Sequence, residues 1–94
     1  MNGSNGKSDP KKIKYPVNYQ LKLIMDNSIA TDENIQNISD KLNDLQIKFG
    51  SFNSRLSAKS TYISLGVMVR IISADQFKVL YEELKDVKGL KTAF

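Results

Sequence analysis

From Tyr62 to Ile72 the chain alternates without a break, with Ile63, Leu65, Val67, Val69 and Ile71 on one side and Tyr62, Ser64, Gly66, Met68 and Arg70 on the other. A two-residue period is that of a half-buried strand, because successive side chains in a strand point to opposite faces. Ser73-Ala-Asp-Gln76 follows at once. This is a capping box, in which the serine hydroxyl and a glutamine three residues on satisfy the orphan N–H groups of a helix start. A strand therefore runs directly into a helix, whose apolar face carries Phe77, Leu80, Tyr81 and Leu84. Gly89 marks a stop region for that helix, and Leu90 to Phe94 predicts a last short strand.

The upstream half repeats the scheme. Tyr15-Pro16 opens the folded part, since a proline at a strand start removes a donor where no ladder partner is needed. From Tyr19 a strand is predicted, with Tyr19, Leu21, Leu23 and Met25 on one face and Gln20, Lys22 and Ile24 on the other. Asp26-Asn27-Ser28 ends it with turn-forming residues. Thr31 or Asp32 is positioned to cap a helix, and Asp32 and Glu33 suit its positive end. Ile35, Ile38, Leu42 and Leu45 form that helix's apolar stripe. Between the two halves the pattern fades. Phe49 and Phe52 are strand-like but Gly50, Ser51, Asn53 and Ser54 are not, so a short strand near Ser51–Arg55 is expected at a sheet edge. Ser57 to Thr61 then turns the chain into the long strand.

The element order is β-α-β-β-α-β. Two amphipathic helices on one face of a four-stranded antiparallel sheet give a ferredoxin-like α+β sandwich. Right-handed crossovers place the first and third strands in the centre, in the spatial order 4-1-3-2. Residues 15–94 form this single domain, and residues 1–14, ten of them Gly, Asn, Ser or Lys, form a disordered basic tail.

Charge sharpens this picture. The formal net charge is +4. Residues 1–14 hold four lysines against Asp9, while the remaining 80 residues hold ten basic and nine acidic groups. The domain itself is nearly neutral, which argues against a nucleic-acid-binding module, where positive charge concentrates on a folded face. The chain has no cysteine, histidine or tryptophan. Disulfides, thiolate metal sites and imidazole base catalysis are thereby excluded. No apolar run approaches the roughly 20 residues that span a bilayer, and the N-terminus is polar, so a cytoplasmic protein is expected.

Tyr15-Pro16, Leu21-Lys22-Leu23, the run Arg55-x-Ser57-x-Lys59-x-x-Tyr62-x-Ser64, the Ser73-x-x-Gln76 cap, Leu80-Tyr81-x-x-Leu84 and the terminal Lys91 strand together resemble the YbeD-like family. These are small uncharacterised bacterial proteins of a domain of unknown function. The resemblance covers roughly residues 15–94. It implies a ferredoxin-like fold similar to the small-molecule-binding ACT regulatory domains, and an unassigned biochemical role. One departure matters. Met25 stands where relatives often carry a glycine at the end of the first strand. ACT effector loops use glycine there so that backbone can approach ligand closely, so Met25 counts against amino-acid binding at that loop, and small-molecule binding near Asp26–Ala30 stays open.

No catalytic constellation emerges. Ser4-x-x-Lys7 and Ser8-x-x-Lys11 match a nucleophile pattern but lie in the tail. Asp26–Ala30 lacks the Gly-rich loop and arginine of an acylphosphatase, and Asp32, Glu33 and Asp40 read as a solvated helix face. The chain is expected to be non-enzymatic, without metal or cofactor. Tyr19, Phe77 and Tyr81 are expected to pack in the core, with the Tyr81 hydroxyl directed to the surface. The candidate site is the sheet face that the helices leave open, carrying Lys22, Ile24, Tyr62, Ser64, Met68 and Arg70, with Arg55, Ser57 and Lys59 nearby. An apolar patch rimmed by polar groups fits docking of a protein partner or a second copy, there or at a sheet edge. The alternative is weak single-stranded nucleic-acid binding, for which one aromatic and two cations on the central strands make a poor stacking platform.

Overall fold

The computed structural model describes residues 14–56 and 61–94. The tail expected over residues 1–14 and the turn expected over Ser57–Thr61 lie almost wholly outside them. Six elements follow in chain order, β1 (Val17–Asp26), α1 (Thr31–Asp44), β2 (Lys48–Leu56), β3 (Tyr62–Ile71), α2 (Ala74–Leu84) and β4 (Leu90–Ala93). The strands form one antiparallel sheet in the order β2-β3-β1-β4, which is the ferredoxin-like arrangement. The two strands with the cleanest alternation are central because each must pack one full face and pair on both sides.

The β1–β3 ladder sets the geometry. Ten residues of each strand pair in unbroken register, from Val17 opposite Ile71 to Asp26 opposite Tyr62. Directly opposed residues share a face, so Leu21, Leu23 and Met25 meet Val67, Leu65 and Ile63 on the helix side, all buried. Ile38 and Leu42 of α1 and Leu80 and Leu84 of α2 complete the core. Tyr15 and Tyr19 pack edge-on against Phe77, which stacks on Tyr81. The Tyr81 hydroxyl is part-buried. It donates to the Tyr19 hydroxyl at 3.2 Å, which gives a polar group beside the core a partner without water. Burial first, and this bond second, push the Tyr81 phenol well above its ordinary pKa.

Helix starts differ from one another. At α2 the Ser73 hydroxyl accepts from the Gln76 N–H at 3.1 Å, and the Gln76 side chain accepts from the Ile72 N–H at 2.8 Å. The box thus closes one residue earlier than its usual form. At α1 neither Thr31 nor Asp32 caps. Ala30 holds the cap position without a side-chain bond, and Thr31, Asp32 and Glu33 lie within the first turn. The order at this end comes instead from Asn34, which is fully buried. Its Nδ2 donates to the carbonyls of Asp26 at 3.1 Å and Ile29 at 3.4 Å, tying the β1–α1 loop to the helix.

Strand β2 is nine residues long rather than the short segment expected, and it does lie at the edge. Its register shifts between Phe49, opposite Val69, and Phe52, opposite Val67. Gly50 and Ser51 of β2 therefore face Met68 alone on β3, which is a bulge. The extra residue turns both phenylalanines to the core face, where their rings meet edge-on at 5.8 Å. A spacing of three is invisible to a search for period two, which is why the strand read as weak.

Gly89 closes the fold at the other end of the sheet. Its φ is +86°, and a Cβ there would lie 2.6 Å from the Ile29 Cδ1 and 3.1 Å from the Asn34 Oδ1. Both conformation and space demand glycine. Gly89→Ala is expected to cost about 1–3 kcal/mol, whereas Gly50→Ala, with nothing within 4 Å of the new Cβ, should be neutral or slightly stabilising. Urea denaturation of the two variants checks this, and equal effects would contradict it.

Candidate functional site

The face of the sheet away from the helices is built by alternation and register alone. On β3 it presents Tyr62, Ser64, Gly66, Met68 and Arg70; on β1, Lys22 and Ile24 lie opposite Gly66 and Ser64. Arg55 of β2 lies opposite Ser64. Seven of the nine candidate residues thus share one face, with Lys22, Arg55, Tyr62, Met68 and Arg70 exposed and Ile24 and Ser64 half-buried. Ser57 and Lys59 lie outside the described residues.

Three features were missed by sequence reasoning. Lys48 sits directly opposite Arg70 on the same face. It went unread because the strand was expected to start three residues later. Phe94 exchanges backbone hydrogen bonds with Lys22 at 2.7 and 2.8 Å, and the Lys22 ammonium lies 5.9 Å from its ring centroid. Phe94 therefore adds a second aromatic, at the far edge of the sheet. Gly66 forms the floor between Gln20 and Asn53, whose amides converge to within 3.2 Å of where a Cβ would stand. A glycine at an outward position of a strong strand was the available signal for such a close approach.

Charge on this molecule is segregated by layer. The four strands hold Lys22, Lys48, Arg55, Arg70 and Lys91 against Asp26. The two helices hold Lys41 and Lys78 against seven carboxylates. Lys41 bridges the helices through Glu83 at 3.2 Å. Near-neutrality of the domain therefore conceals a basic sheet and an acidic helix layer. The Asp26 carboxylate, opposite Tyr62, is already engaged by the Ser28 N–H at 2.9 Å. That bond, ahead of any effect of Lys91, holds the Asp26 pKa below its ordinary value. Lys48 and Arg70 form a like-charge pair directly across two strands, an arrangement that is destabilising by itself. Both line two shallow depressions of about 240 and 250 Å³, one shared with Asn18 and Met68 and the other with Gln46 and Gln76.

The β1–α1 loop, Asp26–Ala30, is packed against the rest of the domain. Met25 is buried in the core, Ile29 packs against Gly89, and the Asp26 N–H donates to the Gly89 carbonyl at 2.8 Å. Among the described residues no helix is long and apolar enough to cross a membrane.

Residues 10–94 match the family described as protein of unknown function (DUF493). No curated protein matches the chain. Among solved structures, protein HP0495 from H. pylori is similar, with a TM-score of 0.69 at 16% identity and 98% of each chain covered. The C-terminal domain of the MgtC protein from Mycobacterium tuberculosis has a TM-score of 0.64 at 14% identity, covering 87% of this chain and 88% of that one. The ACT domain from GTP pyrophosphokinase of Chlorobium tepidum has a TM-score of 0.59 at 12% identity, covering 83% and 97%. These likenesses show the fold, which is ACT-like.

Two outcomes follow from the geometry. Lys48→Glu should raise stability by about 0.2–1 kcal/mol, because it turns a like-charge cross-strand pair into an opposite one. The gain should shrink with added salt, and a loss in thermal unfolding at low salt would contradict the pairing. Asp26 should titrate below its ordinary value of 3.8. With the folded pKa depressed, its stabilising contribution is present above the unfolded pKa and is lost as pH falls through the folded one. A carboxyl carbon titration by NMR with a midpoint at or above 3.8 would contradict this.

Proposed function

We propose that this chain, which belongs to the DUF493 family, is a non-enzymatic regulatory or interaction module. It binds a protein partner or a second copy through its open sheet face or a sheet edge. The observation that carries the reading is the gathering of Ile24, Tyr62 and Met68 with Lys22, Arg55 and Arg70 on a sheet face that neither helix covers. Tyr62 is 41% and Met68 44% exposed, so two large side chains on central strands stand in solvent beside cations. Amphipathic anchors of this kind, ringed by polar groups, are the usual material of protein interfaces. The non-enzymatic part rests on composition, because the chain lacks histidine and cysteine and Asp26, the strand carboxylate among the described residues, is committed to its own turn. Two of the similar folds are domains of larger proteins, the ACT domain from a GTP pyrophosphokinase and the C-terminal domain of MgtC.

Weak single-stranded nucleic-acid binding is the second reading, favoured by the basic sheet layer. Its weakness is the placement of the aromatics, since Tyr62 and Phe94 lie on different strands, away from the Lys48–Arg70 pair.

Affinity capture from cell extract should recover a partner with the native chain and lose it with the Tyr62→Ala, Arg70→Ala double variant. Undiminished capture by the folded variant, or a monomeric sedimentation profile with no partner recovered, would overturn the reading.

A further inference from the structure

We infer that the partner is an acidic, extended protein segment that adds to the outer edge of β2 and sets its carboxylates against Lys48, Arg55 and Arg70. The inference rests on the interaction-module reading and names the partner's chemistry and place. Three observations converge on it. First, β2 is an edge strand of nine residues, and past its bulge the stretch Phe52–Leu56 keeps an unbroken register, which can template a further strand through main-chain hydrogen bonds. Seven of its residues are exposed, including Leu56 at 54%. Second, β2 and β3 together carry three cations and no carboxylate. The Lys48–Arg70 pair and Arg55 are separated along the ladder by the six residues from Arg70 to Ser64, roughly 20 Å at strand rise. An extended segment of six to eight residues spans that distance. Third, the like-charge pair needs an explanation beyond solubility. A lysine on an edge strand keeps copies from pairing, which accounts for Lys48 and Arg55. It does not account for Arg70, which lies on an interior strand directly opposite Lys48, where a neutral residue would remove the repulsion. A carboxylate on a strand added beside β2 would meet Lys48 directly, with Arg70 one strand further in, and would offset the repulsion between the two cations.

The same charges decide between occupants. A second copy of β2 would bring its own Lys48 and Arg55 to this edge and is repelled. A nucleic acid would be attracted, but its bases need aromatic platforms beside the phosphate track. Tyr62 lies two residues from Ser64, the partner of Arg55, at one end of the cation track, but eight residues, roughly 26 Å, from Arg70 at the other end, and Phe94 lies across three strand spacings from β2, roughly 14 Å, so the track carries a single aromatic, at one end. An acidic strand uses the groups that are in place, with backbone to the free edge and carboxylates to the cations.

The test is fluorescence anisotropy with a labelled peptide of four Glu-Val repeats, the same peptide N-methylated at alternate amides, and a labelled oligo-dT. The acidic peptide should bind with a salt-dependent affinity and shift amide resonances of β2. Binding should weaken on the order of tenfold in Lys48→Glu, since an attractive contact becomes a repulsive one. That variant also removes a like-charge pair, so loss of folding is not the expected cause, and thermal unfolding verifies it. Lys91→Glu, which leaves the β2 track intact, should bind normally. N-methylation should abolish binding by blocking the ladder. Absence of peptide binding, equal binding of the methylated peptide, or tighter binding of oligo-dT with shifts at Lys22 and Tyr62 would each overturn the inference. If the peptide fails while the Tyr62→Ala, Arg70→Ala variant still loses a captured partner, the interaction reading stands and the β2 partner falls.

Discussion

The unbroken ten-residue register between β1 and β3 is the constraint from which the rest of the molecule follows. A shift of one residue would send every side chain of a strand to the opposite face. In the observed register five apolar residues of β3 meet the apolar set of β1 on the helix side. The same register delivers the remaining positions, polar, cationic and a few large apolar ones, to the other side as a single surface. Core and candidate site are thus two faces of one pairing. The helices cover one face because their apolar stripes have nowhere else to be buried, and among the described residues no third layer covers the other.

Charge segregation is the consequence that bears most on function. The helices take seven carboxylates against one, Asp26, on the strands, and the strands take Lys22, Lys48, Arg55 and Arg70 on the open face. A net charge near zero then says little about the field a partner meets, because fields are set by where charges lie rather than by their sum. The face-to-face placement of Lys48 and Arg70 is a local cost to stability. Such costs concentrate where function requires them, since a site built to receive a ligand is seldom at its own energetic optimum.

Most of the architecture was legible in the sequence. The alternation of β1 and β3, the Ser73–Gln76 cap and the stripes of α1 and α2 each report a single local period, and each element formed where its period lay. Strand β2 was half-legible, because a bulge between Phe49 and Phe52 breaks the period and hides the strand's first residues, Lys48 among them. Asn34 was not legible at all. A buried amide that ties a loop by two carbonyl contacts looks, in a helix sequence, like any polar residue. Seven candidate site residues came together because alternation predicts faces well. Phe94 and the Lys48–Arg70 pair did not emerge, because they depend on which strands become neighbours and in what register.

The central claim is that the open face and β2 edge, rather than the acidic helices, are where this module engages its partner. Hydrogen–deuterium exchange of the chain recovered in complex from cell extract, compared with the free chain, tests it most directly. The account predicts slowed exchange in β2 and β3, with α1 and α2 unchanged. Slowed exchange confined to the helices would contradict it.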